Sequence, residues 1–388
     1  LNLIKLILTK MPEKWQKKIT VKLISSGKIF TTPIWKMLFQ TLSFYGGDEM
    51  KIRRALIQEH EDIESIVCKL DQLAKETLQT ANKENDNSSI ASQNNPETLY
   101  LEAALYYAVT FFFISDEKRT RQIFAKASVC FDKFRSITTP QVQKWEFPYR
   151  NGKFFAHTYI PNGEGPFGVI IMYPGNEGIK EHMATYATYA KARNLATIAI
   201  DPPGWGESGF SGCKFTELED YKKCTLQILE KIKHHPKLDY NHVGSFGVSG
   251  GSLTSIIVAG FLNQIQAAAG IGAPDYKTMV NVWKNALAEQ KRQTYTWTGL
   301  TKKKDAIKFL QKYAEDTDPL LDHVSCPVLL IHGENDYITK AIKGKDITDR
   351  IGSHATHRII PNDDHLCSNS IGKGLADEIF DWFAKKLV

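Results

Sequence analysis

Apolar and polar positions alternate with two different textures along the chain. Up to about residue 140, apolar residues recur at three- and four-residue intervals with few breakers, as in "LYLEAALYYAVTFFFISDEKRTRQIFAKASVCFDKF". That period predicts helices over 48–82 and 97–138. Residues 1–45 share the helical texture, broken at Pro12 and Pro33. Between the two long helices lies "KENDNSSIASQNNPET", polar and rich in Asn and Ser, which reads as a mobile connector.

After residue 140 the period shortens to strand length. "KWEFPYR" and "KFFAHTYI", on either side of Asn151-Gly152, read as a hairpin. Short apolar runs then alternate with helical stretches. The strand candidates are 168–173, 196–200, 242–248, 267–273, 327–332 and 356–360. The helix candidates are 179–193, 216–234, 251–262, 340–350 and 371–387. A hairpin followed by this alternation predicts an α/β fold, with a mostly parallel sheet covered on both faces. Residues 276–320 break the rhythm with helical sequence and no strand, and read as an insertion over the C-terminal edge of the sheet. The expected organisation is a helical N-terminal region or lid at 1–140, a first core segment at 141–275, a helical cap at 276–320 and a second core segment at 321–388.

Charge changes this picture at one place. The net charge is +6 over 388 residues, yet residues 1–40 alone hold eight lysines against Glu13, or 8 − 1 = +7. The remaining 348 residues are therefore near neutral, which argues against a nucleic-acid-binding core. The basic segment mixes Leu and Ile with Lys. It is a candidate peripheral membrane contact, against the plainer reading of a packed helix with its lysines in water. Six scattered cysteines form no C-x-x-C pair, so neither a metal site nor a disulfide framework is expected and a reducing compartment fits. No apolar run reaches the roughly 20 residues of a membrane span. "LNLIKLIL" is short and interrupted by Lys5, so no signal peptide is expected. A cytoplasmic location follows as the expectation, with peripheral membrane association or signal-less secretion as alternatives.

The candidate chemistry starts at Gly247-Val248-Ser249-Gly250-Gly251, which fits G-x-S-x-G between a buried-strand pattern and a helix. Small neighbours at 247 and 251 would let strand and helix pack closely enough to expose the Ser249 hydroxyl. A nucleophilic serine needs a base, and the base needs an orienting carboxylate. In the chain order Ser, acid, His, the acid falls at Asp336 after "PVLLIHG", with Glu334 as rival, and the base at His365 in "IIPNDDHLCS". Asp363 and Asp364 read as solvated turn carboxylates, and His332 as a buried structural histidine. The cluster His234, His235 and His242 lies on a helix exit and loop, without metal-ligand spacing on one face. The oxyanion of an acyl intermediate needs two preorganised N–H donors. Gly250 N–H is the first, and Asn176 N–H, ahead of Glu177 N–H, is the second. "GWGESG" at 204–209 matches G-x-G-x-x-G, but Pro202-Pro203 precedes it and no helix is expected to open at once, which argues against a dinucleotide site.

Taken in order, "YPGNEGIKEH", "DPPGWGES", "GVSGG", "HGENDYIT" and "DDHLC" resemble the α/β-hydrolase superfamily. Within it the chain is similar to the FrsA-like esterases, the fermentation–respiration-switch type, and to the 2,6-dihydropseudooxynicotine hydrolase group, over roughly residues 48–388. The helical "EAALYYAVTFFF" segment and "GNEGIKE" carry the subgroup likeness; Tyr173-Pro174 and the segment 276–320 depart from it. The resemblance implies an α/β-hydrolase fold with an N-terminal helical domain and a cap, and a triad of Ser249, Asp336 and His365. The expected activity is serine hydrolysis of a carboxylic ester or thioester through an acyl-enzyme. Trp283, Tyr295 and Trp297 suggest a small-molecule or lipid-like apolar acyl substrate. The rivals are C–C bond hydrolysis of a β-diketone-like substrate, assisted by a cap carboxylate such as Asp275 or Glu289, and a ligand-binding protein on a hydrolase scaffold. No metal or organic cofactor and no nucleic-acid partner is expected; the oligomeric state stays open, a homodimer being one option.

Overall fold

The computed structural model describes residues 13–86, 95–114, 116–138, 142–284 and 288–387. The chain divides into two compact units, residues 1–141 with 285–292, and residues 142–284 with 293–388.

Six α-helices run through the described part of the first unit: Glu13–Ser25, Pro33–Phe44, Glu49–Leu56, Ile63–Asp86, Pro96–Val109 and Glu117–Ile137. Pro33 opens a helix rather than merely breaking one, because its missing N–H falls where the first turn needs none. The two long predicted helices are each divided. The stretch 48–82 breaks after Leu56, and 97–138 breaks between Val109 and Glu117. Both restarts carry an aspartate at the boundary: Ser65 N–H donates to Asp62 Oδ1 at 2.9 Å, and Arg119 N–H to Asp116 Oδ1 at 2.7 Å. Of the connector expected at 83–98, residues 87–94 lie outside the described residues, while 83–86 and 96–98 belong to the flanking helices, the second capped by Asn95. Helix Ile63–Asp86 buries one stripe, Ile66, Val67, Leu70, Ala74, Thr77 and Ala81. Helix Pro96–Val109 is buried nearly all round and forms the interior of this unit. In the basic segment, Val21, Ile24, Ile29, Phe30, Met37 and Phe39 are buried while Lys18 and Lys22 are exposed, the pattern of a packed helix. Residues 1–12 of that segment lie outside the described residues.

The second unit is built on one eight-stranded sheet in the order β1-β2-β4-β3-β5-β6-β7-β8. The strands are β1 Gln143–Tyr149, β2 Gly152–Tyr159, β3 Phe167–Tyr173, β4 Ala196–Asp201, β5 Leu238–Val248, β6 Ile265–Ile271, β7 Val328–Gly333 and β8 Ala355–Ile360. β1 and β2 pair antiparallel, β2 joins β4 antiparallel, and all later pairs are parallel. The hairpin turn is Arg150-Asn151, one residue earlier than the Asn-Gly signal suggests, and Gly152 pairs with Tyr149. Glycine is required at 152 for packing instead: a Cβ there would lie 2.7 Å from the Ser211 carbonyl oxygen. The six predicted parallel strands all appear; four are extended by one to four residues, β6 is shifted two residues toward the N-terminus and β7 one residue toward the C-terminus.

β3, β4, β6 and β7 are buried along almost their whole length, and β5 from Val243 to Val248, as a sheet covered on both faces requires. β8, at the edge, is mostly exposed or half-buried. The chain moves from β3 to β4 on one side and then crosses to β5 on the other. This reversal falls between β3 and β5, and the C-terminal ends of strands at such a point are where α/β sheets bind ligands. The insertion forms helices Met279–Lys284, Ala288–Thr298 and Lys303–Asp322, with no strand among its described residues. Trp283 packs edge-on to Tyr295 at 5.9 Å between ring centroids and joins Ala306 and Leu310 in a small core of its own. Trp297 instead stacks flat on Trp205, centroids 4.4 Å apart, above the loop that follows β4.

Candidate active site

Ser249 occupies the single residue between β5 and helix Gly250–Phe261, with φ 53° and ψ −124°. That backbone is sparsely populated by L-residues and costs on the order of 1–3 kcal/mol, so the surroundings must hold it. They do so by close packing. A Cβ at Gly247 would lie 2.0 Å from the Gly251 carbonyl oxygen, and one at Gly251 would lie 2.1 Å from that of Tyr173. Ser249 N–H donates to Ile271 O at 2.7 Å, fixing the turn to the end of β6.

Three strand ends deliver three side chains to one line. His365 Nε2 lies 2.8 Å from Ser249 Oγ, and His365 Nδ1 lies 2.7 Å from Asp336 Oδ2. His365 is 3% exposed and Asp336 5%, so the pair works in a largely dry setting. Burial pushes the Asp336 carboxyl up, but the hydrogen bond and charge of His365, with Thr339 behind it, outweigh this and hold it below its ordinary value. Asp336 Oδ1 also accepts N–H bonds from Ile338 at 2.8 Å and Thr339 at 2.7 Å. The rival Glu334 is turned away: it is exposed and accepts the Asn362 N–H.

Thr339 is a site residue that the sequence did not disclose. Its hydroxyl lies 2.7 Å from Asp336 Oδ2 and 3.0 Å from His365 Nδ1, bracing the pair. Its only sequence signal is a short hydroxyl three residues after the acid, the spacing of an Asx-type turn. Asp363 departs from expectation outright. It is fully buried, and its Oδ1 accepts from Asp364 N–H, Asn369 N–H and the Asn369 amide, so it shapes the loop that carries His365. Asp364 is half-buried and caps Leu366 and Ser368. His332 is buried as expected, with Nε2 3.1 Å from Ala273 O and Nδ1 3.1 Å from His357 Nε2; burial lowers its pKa to about 4.

Asn176 lies beside the Ser249 turn. A Cβ on Gly250 would come within 2.0 Å of Asn176 Oδ1, and one on Gly175 within 3.8 Å of Ser249 Oγ. Among the described residues, neither the Gly250 nor the Asn176 N–H is taken up by a hydrogen bond. The loop carrying Asn176 is tied at both ends. Trp205 Nε1–H donates to Gly175 O at 3.3 Å, and Lys180 N–H to Asp201 Oδ1 at 2.7 Å. The glycine decoy at 204–209 does open a short helix, Gly206–Phe210, contrary to expectation. Its N-terminus is filled by the chain itself, since Glu207 N–H donates to Asp201 Oδ2 at 2.9 Å where a phosphate would have to sit. Asp275, a candidate for assisting C–C cleavage, accepts the Lys277 N–H and lies 3.6 Å from Lys343 Nζ. The Glu289 side chain lies outside the described residues.

The sequence profile described as "Esterase FrsA-like" matches residues 75–295, more than half of the chain. The chain belongs to the FrsA-like esterase family. The matched span includes Ser249 and ends before Asp336 and His365. This FrsA-like chain is similar to 2,6-dihydropseudooxynicotine hydrolase of Paenarthrobacter nicotinovorans, 21% identical over 290 residues, covering 75% of this chain and 77% of that protein. It is also similar to Esterase FrsA of Vibrio vulnificus, 26% identical over 136 residues, covering 34% of this chain and 32% of that one. Peroxisomal succinyl-coenzyme A thioesterase of Mus musculus is 23% identical over 242 residues, covering 58% of this chain and 53% of the thioesterase. The chain thus spans about a third of the FrsA esterase and about half of the thioesterase. The crystal structure of 2,6-dihydroxy-pseudo-oxynicotine hydrolase superposes with a TM-score of 0.77 at 21% identity, over 90% of this chain and 95% of that one, which shows a shared α/β-hydrolase fold. The family places this chain among hydrolases.

Proposed function

We propose that this FrsA-like chain is a serine hydrolase that cleaves a carboxylic ester or thioester through an acyl-enzyme. The observation that carries the reading is the unbroken hydrogen-bonded line Ser249–His365–Asp336, anchored on a positive-φ turn. In the first step His365 Nε2 accepts the Ser249 proton as Oγ attacks the acyl carbonyl. Asp336 orients the ring through Nδ1–H and stabilises the imidazolium that forms. Gly250 N–H and Asn176 N–H receive the developing oxyanion. His365 then protonates the leaving group, and a water activated by the same nitrogen releases the acid. The flat Trp205–Trp297 stack borders the oxyanion loop through the Trp205–Gly175 hydrogen bond, which supports an apolar acyl group.

The test is labelling of the full chain with a fluorophosphonate probe, comparing wild type with Ser249→Ala and His365→Ala. Labelling of wild type alone, with adduct mass on the Ser249 peptide, is the expected result. Equal labelling of all three forms would mean a different nucleophile. A wild type inert to every such probe would favour a ligand-binding role on a hydrolase scaffold.

A second reading has one observation behind it, the likeness to the pseudooxynicotine hydrolase over about three-quarters of both chains. The same triad would serve C–C cleavage of a β-diketone-like substrate. Comparing kcat/KM for p-nitrophenyl esters, acyl thioesters and simple β-diketones separates the readings.

A further inference from the structure

We infer that Lys180 is a positioning residue for catalysis, setting the Asn176 N–H against the reacting carbonyl by clamping the loop after β3 to the loop after β4. This rests on the reading of Gly250 and Asn176 as oxyanion donors.

Lys180 is fully buried, a rare place for an ammonium. Its Nζ lies 2.8 Å from Glu181 Oε1, 3.0 Å from Asp201 Oδ2 and 3.0 Å from Glu207 Oε2. Glu207 is held in turn by Lys144. Burial alone would drive the Lys180 proton off, but Asp201, Glu181 and Glu207 together raise its pKa well above the ordinary value. Two lysines face three carboxylates, and His157 Nδ1 lies 4.0 Å from Glu181 Oε1. Burial, opposed by Lys180 and reinforced by Asp201, raises the Glu181 pKa to about 7.

Such a cluster is a poor way to gain stability, since well-packed apolar residues serve as well. What it supplies is geometry. Asp201 ends β4 and accepts the backbone N–H of Lys180 on one oxygen and that of Glu207 on the other. The Lys180 ammonium closes the same ring through the side chains. The loop 174–180 therefore has one end fixed by this ring and the other by the Trp205 indole on Gly175 O. Asn176 and Glu177 lie between these fixed points. A donor misplaced by even an ångström loses much of its effect on the transition state.

The experiment uses full-length protein with p-nitrophenyl butyrate and its thiono analogue, whose sulfur is a poor acceptor for oxyanion donors. Wild type, Lys180→Met and Glu207→Gln are compared, with Ser249→Ala as control. Lys180→Met is expected to lower kcat on the oxygen ester by about 10- to 100-fold, part of the loss for a removed donor. KM should change less than about threefold, and the oxygen-to-sulfur rate ratio should fall by about tenfold. Glu207→Gln, on the wetter side of the cluster, keeps the test alive if Lys180→Met does not fold, and should move the ratio in the same direction by a smaller factor. A wild-type ratio in both variants, or equal losses on both substrates that follow the folded fraction, would overturn the inference while leaving the hydrolase reading intact. Ester turnover that survives in Ser249→Ala would instead overturn that reading, and this inference with it.

Discussion

The two compact units bury different things. The helical unit fills its interior with Ile52, Ile66, Leu70, Ala103, Tyr106 and Phe131, and its Lys51–Glu102 and Lys126–Asp71 pairs each keep a lysine in water. The sheet-based unit encloses Lys180, Asp201, Asp336, Asp363, His332 and His365, all at or just beyond strand ends, and holds Ser249 at positive φ. Apolar packing is sufficient to make a folded domain. Buried charge and backbone strain are unfavourable unless paired or over-determined, so their concentration at one edge of one sheet marks where stability yields to chemistry.

The sharpest test of that difference is Asp336→Asn. The substitution preserves size but reverses what the residue offers His365 Nδ1, favouring the wrong tautomer. Turnover should fall by about 10⁴-fold. Steady-state assays against a folded control would check this; a loss below about tenfold would show that the imidazole is oriented by Thr339 alone.

Glu181→Gln probes the other buried cluster through stability. A carboxyl whose folded pKa is raised from 4.5 to about 7 stabilises the fold while protonated, below its ordinary value. That contribution is lost as pH rises through about 7. The amide of the variant would not titrate, so the variant should gain on wild type between pH 5 and pH 8 by on the order of 2 kcal/mol. The difference between the two proteins is the quantity to follow, because half-buried His182 and buried His332, both lowered to about 4, add an opposite slope to each curve. Denaturant unfolding at several pH values would show it; a pH-independent difference would mean that Glu181 stays ionised in the fold.

What could be read from sequence follows the same division. The parallel strands were legible because apolar runs bounded by Gly and Asp have few other uses, and Ser249, Asp336 and His365 stood at their ends. The helix breaks at 57–62 and 110–116 were not: apolar residues run on through 111–114, the polar stretch 58–62 passes for a solvent face of one helix, and only Asp62 and Asp116 mark the restarts. The Asn-Gly signal points one residue past the turn because Gly152 serves contact with the 211–213 loop rather than the turn. Lys180, Asp363 and Thr339 escaped for a common reason. A charged or hydroxylated loop residue looks solvated until the fold shows which other loop covers it.

The smallest expected effect lies in the helical unit. Lys126 reaches from helix Glu117–Ile137 to Asp71 on helix Ile63–Asp86, and its Nζ lies 5.7 Å from the Tyr107 ring centroid. Geometrically this resembles the Lys180 contacts, but the side chains are 48% and 29% exposed. Water screens the pair, and ordering two long side chains offsets most of the attraction. A double-mutant cycle with Lys126→Met and Asp71→Asn should give a coupling below about 1 kcal/mol, shrinking further in high salt. A coupling well above about 1 kcal/mol would break the comparison, because solvent exposure would then not be what separates the charges of the two units.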